Sequence, residues 1–161
     1  MKLKKIFTSI LLLVFSLTSC TNALVTEECS CIKETDFIIK SGTSYGFCIG
    51  YCKSELSINS DLQTYYEKKS HVPNTDYPDF TNEKNISQVT FDSIYNSLNL
   101  SVFNSLPDTL SDCLDCTDQG AEWIEVLQNG ESKIVVFDAG NDVEGLEDLI
   151  AILRRLREEH N

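Results

Sequence analysis

The stretch that decides the fold is Ala121–Asp138, AEWIEVLQNGESKIVVFD. Its two halves are rich in β-branched and aromatic residues, and they flank Asn129-Gly130. An Asn-Gly pair between two such runs is the strongest short-range signal for a β-hairpin, because these residues tolerate the positive φ of the turn. In the first half, Ile124 and Val126 share one face, opposite Trp123. The sequence therefore predicts an antiparallel hairpin here.

Three more strands are predicted upstream of the hairpin, over Asp36–Tyr45, Glu55–Asn59 and Leu62–Glu67. The second strand alternates polar and apolar residues, and the Asn59-Ser60-Asp61 link to the third has the composition of a turn. Together with the hairpin, these strands predict an antiparallel sheet of about five strands.

The segment Ser70–Asn85 has no hydrophobic period and contains Pro73 and Pro78. Neither a central strand nor a helix interior accepts proline, so the segment is predicted to be a loop. A structureless loop of about 15 residues is uncommon in a compact domain. We expect it either to pack its aromatic side chains on the core or to serve as a contact loop, with Tyr77 and Phe80 as the candidate residues.

Two amphipathic helices complete the prediction. The first is capped by Ser87 or Thr90 and runs to about Asn99, and the second is capped by Asn141 or Asp142. Their buried stripes recur every three or four residues: Phe91, Ile94, Tyr95 and Leu98, then Leu146, Leu149, Ile150, Leu153 and Leu156. The predicted fold is a single α+β domain over residues 35–161, with both helices packed on one face of the sheet.

The chain opens with three lysines and the apolar run Ile6–Leu17. This run suits a secretory leader and is shorter than the roughly 20 residues of a membrane span. The leader ends at Leu17-Thr-Ser-Cys20, which resembles the lipobox of bacterial lipoproteins. The resemblance implies a signal peptide over residues 1–19, acyl chains such as palmitate on Cys20, a lipidated tether over residues 20–34, and a place in the bacterial cell envelope, at the outer membrane or cell surface. The alternative is an ordinary signal peptide that is cut after Ala23.

The charge balance is strongly acidic, with 25 Asp and Glu against 13 Lys and Arg. The formal net charge is −12, and it becomes more negative when the leader lysines are removed. Such a surface argues against nucleic acid as a partner and against electrostatic attraction to anionic headgroups. The expected partners are the membrane, through the lipid anchor, and an envelope protein or other envelope component.

The cysteines indicate a disulfide framework, because six remain after Cys20 is assigned to the lipid. Gly50 makes a local bridge from Cys48 to Cys52 feasible, and Cys113 and Cys116 can bridge across one β-turn. Cross-links between these two pairs also stay open. The other two candidates, which make poor partners for each other, are Cys29 and Cys31.

Two alternatives require free thiols instead of disulfides. The spacings of Cys48, Cys52, Cys113 and Cys116 are permitted for a Cys₄ zinc site, which requires reduced thiols. A thiol redox centre at Cys113 and Cys116 meets the obstacle that neighbouring aspartates raise a thiol pKa. No catalytic motif is present, so we assign no catalytic residue and, apart from zinc, no cofactor.

Two motifs carry a further resemblance: Gly46-Phe-Cys-Ile-Gly-Tyr-Cys52, and the CxxC-acidic loop that leads into Gly120-Ala-Glu-Trp-Ile-Glu-Val126. They resemble bacterial lipoproteins that carry a GxCxGxC element and have no assigned activity. The element order is similar, more loosely, to emfourin-type protease inhibitors. That resemblance implies an inserted edge at Gly46–Tyr51 or Asp108–Gly120. The favoured hypothesis is a lipid-anchored, non-enzymatic binding module, and the alternatives are an inhibitor or a zinc or redox protein.

Overall fold

The structure, a computed structural model, describes residues 37–72, 75–111 and 120–161. In these ranges the chain forms six strands and three helices, so the predicted α+β class is confirmed. The leader 1–19, the tether 20–34 and the sites at Cys20, Cys29, Cys31, Cys113 and Cys116 lie outside the described residues. The elements are β1 Ile38–Ser44, β2 Tyr51–Asn59, β3 Gln63–Ser70, β4 Phe80–Asn85, α1 Gln88–Ser97, α2 Leu100–Ser105, β5 Ala121–Gln128, β6 Glu131–Asp138 and α3 Glu147–His160.

The six strands form one sheet in the order β4-β3-β2-β1-β5-β6, and every neighbouring pair is antiparallel. The central strand is β1, in which Ile39 pairs with Ile58 on one side and Val126 on the other. The predicted hairpin is confirmed: β5 and β6 pair throughout, and both Asn129 and Gly130 have positive φ.

The prediction of five strands is wrong, because β4 lies in the segment predicted to be a loop. Its sequence, FTNEKN, contains one apolar residue and no alternating pattern, as befits an edge strand with little surface to bury. The prediction of two helices is also wrong. The additional helix, α2, has only six residues and buries only Phe103.

Helix α3 begins later than the predicted caps Asn141 and Asp142. Gly140 and Gly145 both have positive φ, so the backbone turns before the helix starts, with Leu146 at its N-cap position and no side-chain cap. The predicted apolar stripe is nevertheless buried from Leu146 through Leu156. None of the helices in the described ranges is long and apolar enough to cross a membrane.

The core joins sheet and helices in one cluster of buried apolar side chains. The strands contribute alternate positions, so their buried residues lie on one face: Ile39, Leu56, Ile58, Tyr66, Ile124, Val126, Val135 and Phe137. Ile94 of α1 and the stripe of α3 complete the cluster. Removing this much apolar surface from water is the dominant favourable contribution to folding.

On the other face of the sheet, Trp123 lies across Gly42. A Cβ at Gly42 would sit 2.2 Å from the indole Cζ2 and 2.4 Å from the carbonyl oxygen of Ser54. Only glycine therefore fits this position of β1, and the indole covers the backbone that the missing side chain leaves bare.

The two edges of the sheet differ. At β6, the short segment Asp108–Leu110 forms a parallel bridge to Val136, with hydrogen bonds of 2.8 Å from Leu110 N and 2.9 Å to Asp108 O. The opposite edge is β4, a short strand whose exposed residues include charged side chains. Both are recognised means of protecting a sheet edge.

Candidate functional site

The connection between β1 and β2 is a loop of residues 45–50, YGFCIG, which we call the tip loop. A disulfide joins Cys48 to Cys52 with a Cα–Cα distance of 5.5 Å, which is the local bridge among the pairings that the sequence left open. Gly50 has φ +108°, a conformation that side chains strongly disfavour, and this turn lets the chain double back within five residues. The disulfide therefore closes a ring of five residues, Cys48–Cys52.

Hydrogen bonds to backbone carbonyl oxygens hold the tip loop. Tyr45 N donates to the carbonyl oxygen of Cys52 at 2.9 Å. His71, in the loop after β3, places Nε2 at 3.0 Å from the carbonyl oxygen of Tyr45 and 3.1 Å from that of Gly46. Carbonyl oxygens only accept, so Nε2 carries the hydrogen in these contacts. The loop is braced by a covalent bond and by its neighbours.

The braced tip loop presents apolar side chains to solvent. Phe47 is 89% exposed and Ile49 is 96% exposed, and Val72, in the loop that supplies His71, is 73% exposed. Single exposed apolar residues are normal on a protein surface, but Phe47 and Ile49 lie two positions apart on one constrained loop, which makes the tip loop a candidate contact surface.

Aromatic rings form the base beneath this tip. Tyr51 and Tyr77 meet edge to face with centroids 5.7 Å apart, and Tyr77 lies against Gly50. Lys68 places Nζ 4.4 Å from the ring centroid of Tyr51 and 4.9 Å from that of Phe80. Of the two candidate contact residues, Phe80 is partly buried against the core, whereas Tyr77 packs on Tyr51 and Gly50.

Three lysines lie on β2 and β3. The β2–β3 register places Lys53 opposite Lys69, whereas Lys68, the neighbouring position, lies on the other face of the sheet and donates from Nζ to Oδ1 of Asn161 at 2.5 Å. Lys69 pairs with Glu67 at 2.9 Å, and Lys53 pairs with Glu55 at 3.6 Å. The hydrogen bond that Lys69 donates to the carboxylate of Glu67 raises the pKa of Lys69, so this ammonium group stays charged. The basic groups are largely balanced by adjacent carboxylates.

A second polar cluster lies under α3, around the buried carboxylate of Glu122. Arg154 donates to it through Nε at 3.1 and 3.2 Å and through Nη2 at 2.8 Å. Arg157 donates to the same carboxylate and to the hydroxyl of Ser41. Asp142 accepts from Arg154 at 3.1 Å, and a cleft of about 390 Å³ opens beside the cluster.

The electrostatics of Glu122 indicate a structural role. Burial acts to raise its pKa, but the hydrogen bonds and charges of Arg154 and Arg157 outweigh burial and hold the pKa below its ordinary value. Glu122 in turn raises the pKa of Arg154. Glu122 is thus held ionised by two guanidiniums of α3, and the cluster joins α3 to the sheet.

The disulfide bears directly on the zinc alternative. Cys48 and Cys52 are bonded to each other, so neither is a thiolate, and a zinc site that uses them would first require reduction. The other two candidate ligands, Cys113 and Cys116, lie outside the described residues. In the ranges that the structure describes, no group of three or more His, Cys, Asp or Glu side chains is arranged to hold a metal.

The sequence matches no family model and no curated protein. Function must therefore be argued from the geometry of the two clusters.

Sequence reasoning did not single out Phe47, Ile49 or Glu122, although the inserted edge Gly46–Tyr51 implied by the inhibitor resemblance contains the first two. Ile49 lies inside the five-residue ring closed by Cys48 and Cys52 and has little room to turn inward, and Phe47 directly precedes that ring. Glu122 shares the face of Ile124 and Val126, and this period-two position signalled a buried charge in need of partners.

Proposed function

We propose that this protein is a lipid-anchored component of the bacterial cell envelope, attached through Cys20, whose described domain is a non-enzymatic binding module. Its recognition element is the tip loop. The observation that carries the proposal is the near-complete exposure of Phe47 and Ile49 on a loop closed by the Cys48–Cys52 disulfide. Such a bond persists in the oxidising compartments outside the cytosol, in keeping with export.

The constrained loop is suited to binding because it is ordered before a partner arrives. Ordering a mobile side chain at an interface costs about 0.5–1.5 kcal/mol, and preorganisation reduces such costs. Burying a Phe or Ile side chain that was exposed contributes about 1.5–3 kcal/mol. The pair at the tip therefore supplies a useful binding energy from a very small surface.

Site-specific photocrosslinking in the native host tests the proposal. A photoreactive phenylalanine analogue replaces Phe47 in the full chain, and the matched control carries it at Val89 of α1, which is 75% exposed. We expect a discrete adduct, to protein or lipid, from position 47 that is lost when Ile49→Ser is added. Equal labelling from both positions would contradict a recognition role for the tip loop.

The anchor is tested separately by intact-mass measurement of the mature protein. We expect a chain that begins at residue 20 and carries the mass of a diacylglyceryl group with an additional acyl chain. A Cys20→Ser variant should lack this mass and be released from membranes more readily than the wild-type protein. An unmodified Cys20 in wild-type protein would contradict anchoring.

Protease inhibition is a second candidate, because a closed loop with an exposed apolar side chain is also the form in which inhibitors offer an edge to a protease cleft. The test is the steady-state rate of a protealysin-like metalloprotease with increasing amounts of the full chain. Inhibition that Phe47→Ser abolishes, and Val89→Ser preserves, would favour this function. An unchanged rate would exclude inhibition of that enzyme class.

A further inference from the structure

The composition of the tip and its base identifies the partner class. We propose that the tip loop inserts Phe47 and Ile49 into the interfacial region of a lipid bilayer. This inference rests on the proposed function, since it names what the recognition element contacts. It concerns a second point of membrane contact, distinct from the acyl chains expected on Cys20.

The chemistry is ordered along the strands in the way an interface requires. The exposed side chains of Phe47, Ile49 and Val72 lie in the loops beyond the paired ends of β1, β2 and β3. The tyrosine rings follow at Tyr51 and Tyr77, and amphipathic rings are enriched where hydrocarbon meets water. Two residues further along β2, a distance of about 7 Å, comes Lys53, opposite Lys69 of β3, so the charged side chains begin only beyond the rings.

The distance of about 7 Å from Tyr51 to Lys53 agrees with shallow insertion into a bilayer. Groups that lie in the interface bury their apolar face about 5–10 Å into the boundary between headgroups and acyl chains. Phe47 and Ile49 are already exposed on a loop held by the disulfide and by the hydrogen bonds of Tyr45 and His71, so they can enter this layer without any change in the backbone. Insertion therefore requires no local unfolding.

Charge determines which lipids fit. Lys53 and Lys69 are already paired with Glu55 and Glu67, and the chain has a formal net charge of −12. The tip therefore has no strong attraction for anionic headgroups, and the rest of the molecule is repelled by them. We expect apolar insertion into neutral lipid, with little dependence on salt.

The anchor and the tip can engage the same bilayer. The tip loop follows β1, whose first residue lies just after Phe37, so it is at the far end of a seven-residue strand about 23 Å long. The 17 residues from Cys20 to Asp36 can span up to about 55–60 Å. The tether is thus long enough for the domain to lie with its tip against the membrane. A single acyl chain anchors only marginally, and added contacts strengthen anchoring.

The test is flotation of the unlipidated chain with vesicles of neutral phosphatidylcholine and phosphatidylethanolamine. The protein is residues 20–161 with Cys20→Ser and its Cys48–Cys52 bond verified by mass. We expect the protein with the wild-type tip loop to float with the vesicles. Phe47→Ser and Ile49→Ser should each lower its partition coefficient from water into the vesicles about 10- to 100-fold. Val89→Ser is the matched control and should leave it unchanged. Circular dichroism confirms that each variant is folded.

Any of three results would overturn the inference. The protein with the wild-type tip loop does not float, or Val89→Ser loses as much vesicle binding as the tip-loop variants. The third is flotation that appears only with anionic phosphatidylglycerol and vanishes in salt. The photocrosslink from Phe47 separates this failure from that of the proposed function. A discrete protein adduct without vesicle binding would retain the binding module and replace the bilayer with a protein partner. The absence of both adduct and flotation would overturn both proposals.

Discussion

Replacing Glu122 by glutamine tests the buried ion cluster. The substitution preserves size and removes the negative charge that Arg154 and Arg157 face. Arg157 is largely buried, so its guanidinium would be left beneath α3 without its carboxylate. The chain should still fold, but with a less stable attachment of α3 to the sheet.

The magnitude follows from the burial of the partners. Removing one member of a buried ion pair costs about 3–5 kcal/mol. Arg154 is partly solvated and keeps Asp142 as a partner, which places the expected loss near the lower limit, at about 3 kcal/mol. For a domain of this size, that corresponds to a fall in melting temperature of about 10 °C.

The control is Glu159→Gln, which removes the same charge from the same part of the fold. Glu159 pairs with Arg155 at 3.4 Å, but both side chains are more than half exposed. Exposed ion pairs four residues apart on a helix contribute about 0.3–0.5 kcal/mol. This variant should therefore unfold close to the wild-type temperature.

The pH dependence gives the second readout. The folded-state pKa of Glu122 lies below its ordinary value of 4.5, so the carboxylate stabilises the fold above about that pH and loses its effect as pH falls through the lower folded pKa. Glutamine does not titrate. The difference in unfolding free energy between wild type and Glu122→Gln should therefore shrink below pH 4.5.

Urea unfolding monitored by the fluorescence of Trp123, at pH 7 and at steps below pH 4.5, measures both effects. A loss no greater than that of Glu159→Gln would refute the buried-cluster argument. A difference that stays constant as the solution is acidified would refute its electrostatic origin, since packing differences do not titrate.

Three other predictions concern the disulfide and two glycines. Replacing Cys48 and Cys52 together by serine should cost about 2 kcal/mol in urea unfolding, the closure entropy of a five-residue loop, and a loss near zero would mean that the loop is held by its hydrogen bonds alone. Gly42→Ala should destabilise by about 1–3 kcal/mol because its Cβ has no room, whereas Gly46→Ala, where a Cβ meets nothing within 4 Å, should cost much less in the same thermal scan. Gly130→Ala should cost about 1–2 kcal/mol because of its positive φ, and an unchanged melting temperature would show that the hairpin turn relaxes.

The parts of the fold that were predictable are those with a strong period. The hairpin followed from Asn129-Gly130 and its flanking runs, and the burial of α3 followed from leucines spaced three and four apart. The edge strand β4 has no such pattern because it buries little, and α2 is too short to show one. Where an element gains little from burial, its sequence is free to be polar, and the signal disappears.

The candidate site was predictable only in its covalent part. Gly50 between two cysteines indicated that Cys48 and Cys52 could close a ring, and they do. That Phe47 and Ile49 would then face solvent depends on the three-dimensional course of the loop and on the brace from His71, which is more than 20 residues away. Long-range contacts of this kind leave no local mark in the sequence.

The unequal edges of the sheet have a consequence for molecules held on a surface. Acylated proteins diffuse in two dimensions at high local density, where exposed strand edges can recruit one another into fibres. Here one margin is shielded by the Asp108–Leu110 strap, whereas the other, β4, is protected only by its short length and by the charged side chains of Glu83 and Lys84. Self-association, where it occurs, should therefore begin at β4.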